Sequence, residues 1–283
     1  MLTPQQIDFY HENGYLGVED VFSPTEIAEL RRVTDEFVEA SRAHTTHTDV
    51  FDLEPGHTPD APRLRRLKEP VDQHEVYNQA LRHPKVLDIV EQLVGKGVRT
   101  NGNKLNMKSA GFGSPVEWHQ DWAFYPHTND DLLAVGVALD DMMLENGPLL
   151  VIPGSHKWRV YSHHEDGFFV GAVSEAVPDA DKAVPIELKA GGISIHHVRA
   201  LHASAPNVSD RQRRLLLFQY CALDAWPLMG IKDWDSFNAT ILRGEPTQFP
   251  RVTAVPVTIP LPKPAKTGSI YEIQTQLKAK VFA

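Results

Sequence analysis

The chain has 283 residues, 42% hydrophobic and 23% charged, with 18 Gly and 21 Pro, the balance of a turn-rich soluble protein long enough for one large domain. Its net charge of −9 would repel a phosphate backbone, and no basic run carries interleaved aromatics, which argues against a nucleic-acid partner. No apolar stretch reaches bilayer-spanning length and the opening MLTPQQIDFY lacks the features of a secretory signal; Cys221 is the single cysteine, so no internal disulfide or thiolate zinc cage can form, and a cytoplasmic protein without a membrane partner is expected.

Helix signals gather at the front. Thr3-Pro4 reads as a cap with proline at the first helical position, and Gly14 stops that segment. Ser23-Pro24-Thr25-Glu26 forms a capping box, after which Ile27, Leu30, Val33 and Phe37 recur at helical spacing. Residues 44–68 are polar and aperiodic and read as a mobile loop. A third helix starts at Pro84, places Val86, Leu87, Val90 and Leu93 on one face and ends at Gly95. Beyond Gly95 the segments VRTNGNKLNMK, LLAVGVALDD, PLLVIPGS, VPIELKA, ISIHHVRALHAS and RRLLLFQYCAL are short, apolar or alternating, with turn residues between them. This pattern predicts a mainly β protein with flanking helices and a jelly-roll core. One domain over 1–283 is expected: a helical flank to about residue 95, a β-core over about 96–222 and an extension over about 223–283.

The stretch EWHQDWAF places His119 and Asp121 two residues apart. His-x-Asp is weak alone, and His47-Thr48-Asp49 and His164-Glu165-Asp166 fit it too, but in polar stretches with little to fix their side chains. His119 and Asp121 lie in a strand-like run among Trp118, Trp122, Phe124 and Tyr125; residues i and i+2 of a strand share a face, so both side chains would enter one cavity. The strand ISIHHVRALHASAPN offers His196, His197 and His202 as a third ligand. Arg213 follows His202 by eleven residues and opens the next strand; a hairpin would bring both to one cavity wall. Two histidines and a carboxylate on one face of Fe(II) leave positions for a cosubstrate and dioxygen, and an arginine on the wall would hold a carboxylate.

On WHQD at 118–121, ENGPLLVIPGSHK at 145–157 and GGISIHHVRALHASAPNVSDRQRR at 191–214, the chain resembles the phytanoyl-CoA dioxygenase-like family of Fe(II)/2-oxoglutarate oxygenases. The opening IDFYHENGYLGVEDVFSPTEI looks like that family's first helix, strand and second helix. The resemblance implies a double-stranded β-helix (cupin-like) fold, with His119, Asp121 and His202 as iron ligands. It assigns Arg213 and Ser204 to the distal carboxylate of 2-oxoglutarate, and it places Lys104 and Lys68 near the same cosubstrate. It implies use of O2 to hydroxylate an unactivated C–H bond of a small organic molecule, with release of succinate and CO2. Asp121 argues against halogenation, since relatives that halogenate generally lack the carboxylate ligand. Val137 stands where some relatives have tryptophan, so cosubstrate packing on that wall is expected to differ, while Gly191-Gly192 replaces a Gly-Asp that is structural.

Other outcomes of the same iron site, namely desaturation, cyclisation, epimerisation or peroxide formation, stay open. A non-catalytic jelly-roll binding protein would be expected to have lost a ligand or the arginine, and neither is lost. Trp122, Phe124, His127, His197 and Trp226 are candidates for the substrate pocket, each with core packing as its plain alternative. Glu145-Asn146-Gly147-Pro148 reads as a tight turn, His156 as a structural residue, and Arg211 as the substitute should Arg213 not face the cavity.

Overall fold

In the computed structural model, which describes residues 1–264 and 267–282, the chain enters through α1 (Pro4–Asn13), β1 (Tyr15–Val18) and α2 (Pro24–Ala40). Both helices start on capping boxes, Thr3 with Gln6 and Ser23 with Glu26, each satisfying otherwise unpaired N-terminal amides. Gly14 ends α1 in the left-handed region at φ 77°, and a Cβ there would lie 2.3 Å from Nδ1 of His156, so both conformation and space call for glycine.

The expected mobile loop at 44–68 is instead a hairpin-like pair, β2 (Phe51–Leu53) and β3 (Leu64–Lys68). Its apolar residues are too few for a clear period, yet Phe51, Leu53, Leu64 and Leu67 are all buried against the helices. Two short helices that the pattern did not announce follow, α3 (Pro70–Gln73) and α4 (Glu75–Leu81), then α5 (Pro84–Val94). A purely helical flank to residue 95 is therefore too simple, because β1, β2 and β3 all join the main sheet.

The remaining strands are β4 (Val98–Lys108), β5 (Val116–His119), β6 (Leu132–Ala138), β7 (Leu149–Val151), the small hairpin β8 (His164–Glu165) with β9 (Phe168–Phe169), then β10 (Val184–Ile186), β11 (Ile193–His197), β12 (His202–Ser204) and β13 (Arg213–Ala222). After them come α6 (Trp234–Ala239), β14 (Ile241–Arg243) and α7 (Ile270–Ile273). One sheet has the order β1-β11-β6-β13-β4-β3-β2, with β14 also on β4; the facing sheet has the order β10-β7-β12-β5. This is the jelly-roll core, with the helices on the outer face of the larger sheet.

Alternation along β6 shows how the cavity arises. Leu133, Val135 and Val137 are buried among the helices, each worth roughly 1.5–3 kcal/mol of apolar burial. Ala134, Gly136 and Ala138 point the other way, between the sheets. A Cβ on Gly136 would meet Ser194 Oγ at 2.7 Å and Leu215 Cδ1 at 3.0 Å. Val137 therefore faces the helices and cannot set cosubstrate packing, contrary to the expectation from the resemblance. Among the described residues no helix is long and apolar enough to cross a membrane.

Candidate metal centre and its cavity

His119 ends β5, and antiparallel register sets it directly opposite His202 on β12. The two rings lie 4.0 Å apart between centroids. Asp121 is not on the strand: it opens a 3-10 turn, Asp121–Ala123, after the extended residue Gln120. The extended backbone still carries positions 119 and 121 to one side. One ligand atom from each of His119, Asp121 and His202 lies within 4.8 Å of the others, and all three residues are buried.

Asp121 is anchored by Gln120, whose side-chain amide donates to the carbonyls of Arg159 and Arg199 and accepts from the N–H of Tyr161 at 2.9 Å. The turn carrying Arg199 is what breaks the expected single strand ISIHHVRALHASAPN. β11 lies in the large sheet and β12 in the small one, and Arg199 fixes the crossing by bonding Asp130 at 2.8 Å and the Trp158 carbonyl at 2.6 Å.

The donor set suits a divalent metal. Nδ1 of His119 bonds the Glu117 carbonyl at 2.8 Å and Nδ1 of His202 bonds the Ala200 carbonyl at 3.0 Å, so each carries its proton on Nδ1 and leaves Nε2 as a free lone pair. Burial pushes His119 down to about 4 against the pull of Asp121, and burial with the neighbouring histidines lowers His202 well below the usual range. Burial would raise the Asp121 carboxyl, but His196, His202 and Lys104 hold it well below. Neutral imidazoles with an ionised carboxylate are the metal-binding protonation state.

Around the triad is a narrow cavity, with about 50 Å³ open to the centre of a water molecule. At its far end Arg213 is buried and forms no ion pair among the described residues; its Nη2 donates to the Gly147 carbonyl at 2.9 Å and its Nε has no partner. Ser204 lines the same end, and its hydroxyl accepts from Nζ of the fully buried Lys108 at 2.9 Å. Burial, then the charge of Arg213, drives Lys108 well down. A buried guanidinium without a carboxylate partner, beside the Lys108 amine and the Ser204 hydroxyl, calls for an anion between the sheets. Arg213 and His202 thus share a cavity, though not through a hairpin: β13 pairs with β4 and β6, while β12 pairs with β5 and β7. Arg211 instead turns outward to an exposed ion pair with Glu145.

Of the two lysines, Lys104 lines the cavity. Lys68, its register partner, donates to the Thr48 carbonyl at 2.7 Å and lines only an adjoining vestibule of about 440 Å³, which Lys104, Leu217 and Gln219 share with the cavity. The aromatic and histidine candidates mostly belong elsewhere. Trp122 is core, its indole N–H donating to the Pro256 carbonyl. His127 is buried and bonded to the Tyr125 carbonyl. His197 faces away from the cavity, toward Tyr10 and His156. Trp226 packs against Trp234 and Phe237. Phe124 alone touches the centre, edge-on to His119 at 5.9 Å.

Several cavity residues escaped sequence reasoning, Asn106, Gln219, Ile270 and Tyr271, while His196, offered by the sequence as an alternative third ligand, lines the cavity beside the ligand set. Even spacing within a strand would have found Asn106 from Lys104 and Gln219 from Arg213. Ile270 and Tyr271 carry no such signal. They belong to the C-terminal segment, strapped down by the N–H groups of Val281 and Phe282 on the Glu117 carboxylate and by Gln274 on Gly171. Tyr125 was counted only as a flanking aromatic, yet its hydroxyl reaches Asp121 and accepts from the Gln219 amide at 2.7 Å. His163, next to the polar stretch His164-Glu165-Asp166, is buried with both ring nitrogens bonded, to the Tyr161 carbonyl and the Gln120 N–H.

Among the described residues a second set of potential metal-ligating groups is His47, Asp52 and Glu272. There Arg65 pairs with both carboxylates, which makes it a salt-bridge network tying the C-terminal segment to the β2–β3 pair.

Residues 10–215 match the phytanoyl-CoA dioxygenase (PhyH) family model. Over the full length of both chains the sequence is 34% identical to a probable alpha-ketoglutarate-dependent hypophosphite dioxygenase of Stutzerimonas stutzeri. It is 28% identical to L-proline trans-4-hydroxylase of Streptomyces griseoviridis, over 75% of this chain and 83% of that one. EctD from S. alaskensis with bound Fe superposes with a TM-score of 0.66 at 23% identity, over 91% of this chain and 88% of that one. A non-heme alpha-ketoglutarate-dependent carbocyclase, SnoK, gives 0.66 at 23% over 89% and 97%. The two structures speak for the fold.

Proposed function

We propose, for a chain that belongs to the phytanoyl-CoA dioxygenase family of Fe(II)/2-oxoglutarate-dependent dioxygenases, that the substrate is a compact anion oxidised at an X–H bond, hypophosphite being the leading case. His119 and His202 through Nε2, with Asp121, are the residues that would hold iron, which when bound supplies the activation of dioxygen. Arg213, with Ser204 set by Lys108, would bind the distal carboxylate of 2-oxoglutarate. Leu149, Leu215 and Ile270 wall that cavity and keep water from it. The Tyr125 hydroxyl, fixed by the Gln219 amide at 2.7 Å, would steady Asp121. Overall, one atom of dioxygen enters the X–H bond to give X–OH, and the other leaves in succinate as 2-oxoglutarate loses CO2.

One observation carries the substrate reading: the space. The cavity, with about 50 Å³ open to the centre of a water molecule, has room for about four waters; 2-oxoglutarate would take most of it, and a larger substrate would have to extend into the vestibule. What remains beside the triad suits a substrate of a few atoms, and Lys104 stands there without an ion pair among the described residues. Its name gives hypophosphite to the relative that aligns over the whole chain. A second reading, hydroxylation of a C–H bond in a small organic acid, draws on the proline hydroxylase and would seat its substrate in the vestibule. We read the protein as cytoplasmic, with Cys221 a buried free thiol.

The test is succinate release from 2-oxoglutarate and Fe(II) with hypophosphite, followed by phosphorus NMR for phosphite in equal amount. Hypophosphite that leaves succinate at its substrate-free level, while L-proline or another small organic acid raises it, would replace the first reading by the second.

A further inference from the structure

We propose that His196, with Lys104, forms the seat for the anionic head of the substrate, beside the metal ligands and at the opposite end of the cavity from Arg213. The proposal rests on the compact-anion reading above. Register across the large sheet places His196 of β11, Ala134 of β6 and Gln219 of β13 in one row, and directly paired residues turn their side chains to the same face. Lys104, paired with Leu217, lies one step along on that face. The small side chain of Ala134 leaves room in front of the imidazole.

His196 is 2% exposed, yet its Nδ1 has no partner and its Nε2 makes no hydrogen bond of ordinary length, having only the Asp121 carboxylate near it. A buried polar group left unpaired costs about 1–3 kcal/mol, and natural structures seldom keep one without a ligand or water to answer it. The other buried histidines each bond a backbone carbonyl, His119, His127, His163 and His202 through Nδ1 and His156 through Nε2. His196 is also outside the metal set. Its Nε2 is 3.5 Å from Asp121 Oδ2, too long for a full hydrogen bond, although its ring centroid is 4.3 Å from that of His202. The Lys104 ammonium makes no hydrogen bond or ion pair among the described residues, and the side chain borders both cavity and vestibule. An N–H donor and an ammonium converging on one small space beside the metal ligands match an oxyanion whose X–H bond must lie there.

The experiment compares wild type with His196→Phe, His196→Gln and Lys104→Met. Each is loaded anaerobically with Fe(II) and 2-oxoglutarate, and sodium hypophosphite is titrated against the visible charge-transfer band. The expected result is unchanged iron content and 2-oxoglutarate affinity, with the hypophosphite Kd and KM raised at least about 30-fold in His196→Phe and Lys104→Met. His196→Gln, which keeps an N–H donor, should recover part of the loss. Loss of iron from a variant of His196 with unchanged melting temperature would make it a metal ligand and overturn the proposal. So would an altered band or kcat with unchanged hypophosphite Kd, which would mean that His196 only positions Asp121. If wild type ignores hypophosphite but accepts an organic acid, the compact-anion reading falls by itself. The same variants titrated with that acid then decide the seat: a raised Kd keeps it as a carboxylate site, and an unchanged Kd rejects it.

Discussion

The two faces of the large sheet are made by the same strands from opposite materials. On the helix side, Leu133, Val135, Val137, Ile193, Ile195, Leu216 and Phe218 are packed to near-zero exposure. On the inner side the same strands show Ala134, Gly136, His196, Gln219 and Arg213, and the packing opens around a cavity. The first face supplies stability and tolerates any well-packed apolar set. The second spends that stability on under-satisfied polar groups, Arg213 Nε and His196 Nδ1, which a ligand or a bound water must answer. A substitution should therefore report its face by what it changes.

The sharpest break of the comparison is Asp121→Ala, which should leave the melting temperature within a few degrees but reduce substrate-dependent succinate release by at least about 10³-fold. An active variant with bound iron would remove Asp121 from the ligand set. From the other face, Leu216→Ala should cost about 2–5 kcal/mol in denaturant unfolding while leaving the 2-oxoglutarate KM as it was. Arg213→Gln should do the reverse, raising that KM roughly 30- to 100-fold, about 2–3 kcal/mol of charge-assisted bonding, at little cost in stability.

A smaller effect is expected from pH. His163 and His127 are buried and neutral, burial holding them down to about 3 and about 4, below the ordinary histidine value near 6.5. Their folded-state values lie below the unfolded ones, so their contribution is complete above about pH 6.5 and is lost as pH falls toward the folded values. At pH 5 each should cost roughly 2 kcal/mol, seen as a falling urea midpoint that His163→Asn would flatten. Smallest of all, Lys68→Met should change the 2-oxoglutarate KM less than about twofold, since its ammonium is committed to Thr48 outside the cavity; a loss comparable to that of Arg213→Gln would return Lys68 to the cosubstrate.

How much was legible can be traced residue by residue. His119, Asp121, His202 and Arg213 could be picked out because their spacings combine with apolar strand patterns, and the structure brings all four to one cavity. They meet by routes other than a shared strand and a hairpin. Asp121 sits in a turn, and His202 and Arg213 face each other from two sheets. Trp122, His127, His197 and Trp226 were misplaced because aromatic and histidine side chains near a site pack in a core as readily as they line a pocket. The β2–β3 pair was missed because its pairing partners lie far away in the chain and its own apolar residues are sparse.

Local physical chemistry settled a good deal without any fold: capped helices at Thr3 and Ser23, the alternation that makes β6 and β13 strands, and a His-x-Asp pair whose side chains share a direction. These are properties of neighbouring residues and are written in short windows. Only the tertiary structure decided which histidine of the His196-His197 pair turns inward, that Ile270 and Tyr271 close the cavity from the far end of the chain, and that Lys108 rather than Lys68 stands behind Ser204. Each depends on strand register and on which sheet a strand joins, and those are set by long-range packing that no short window contains.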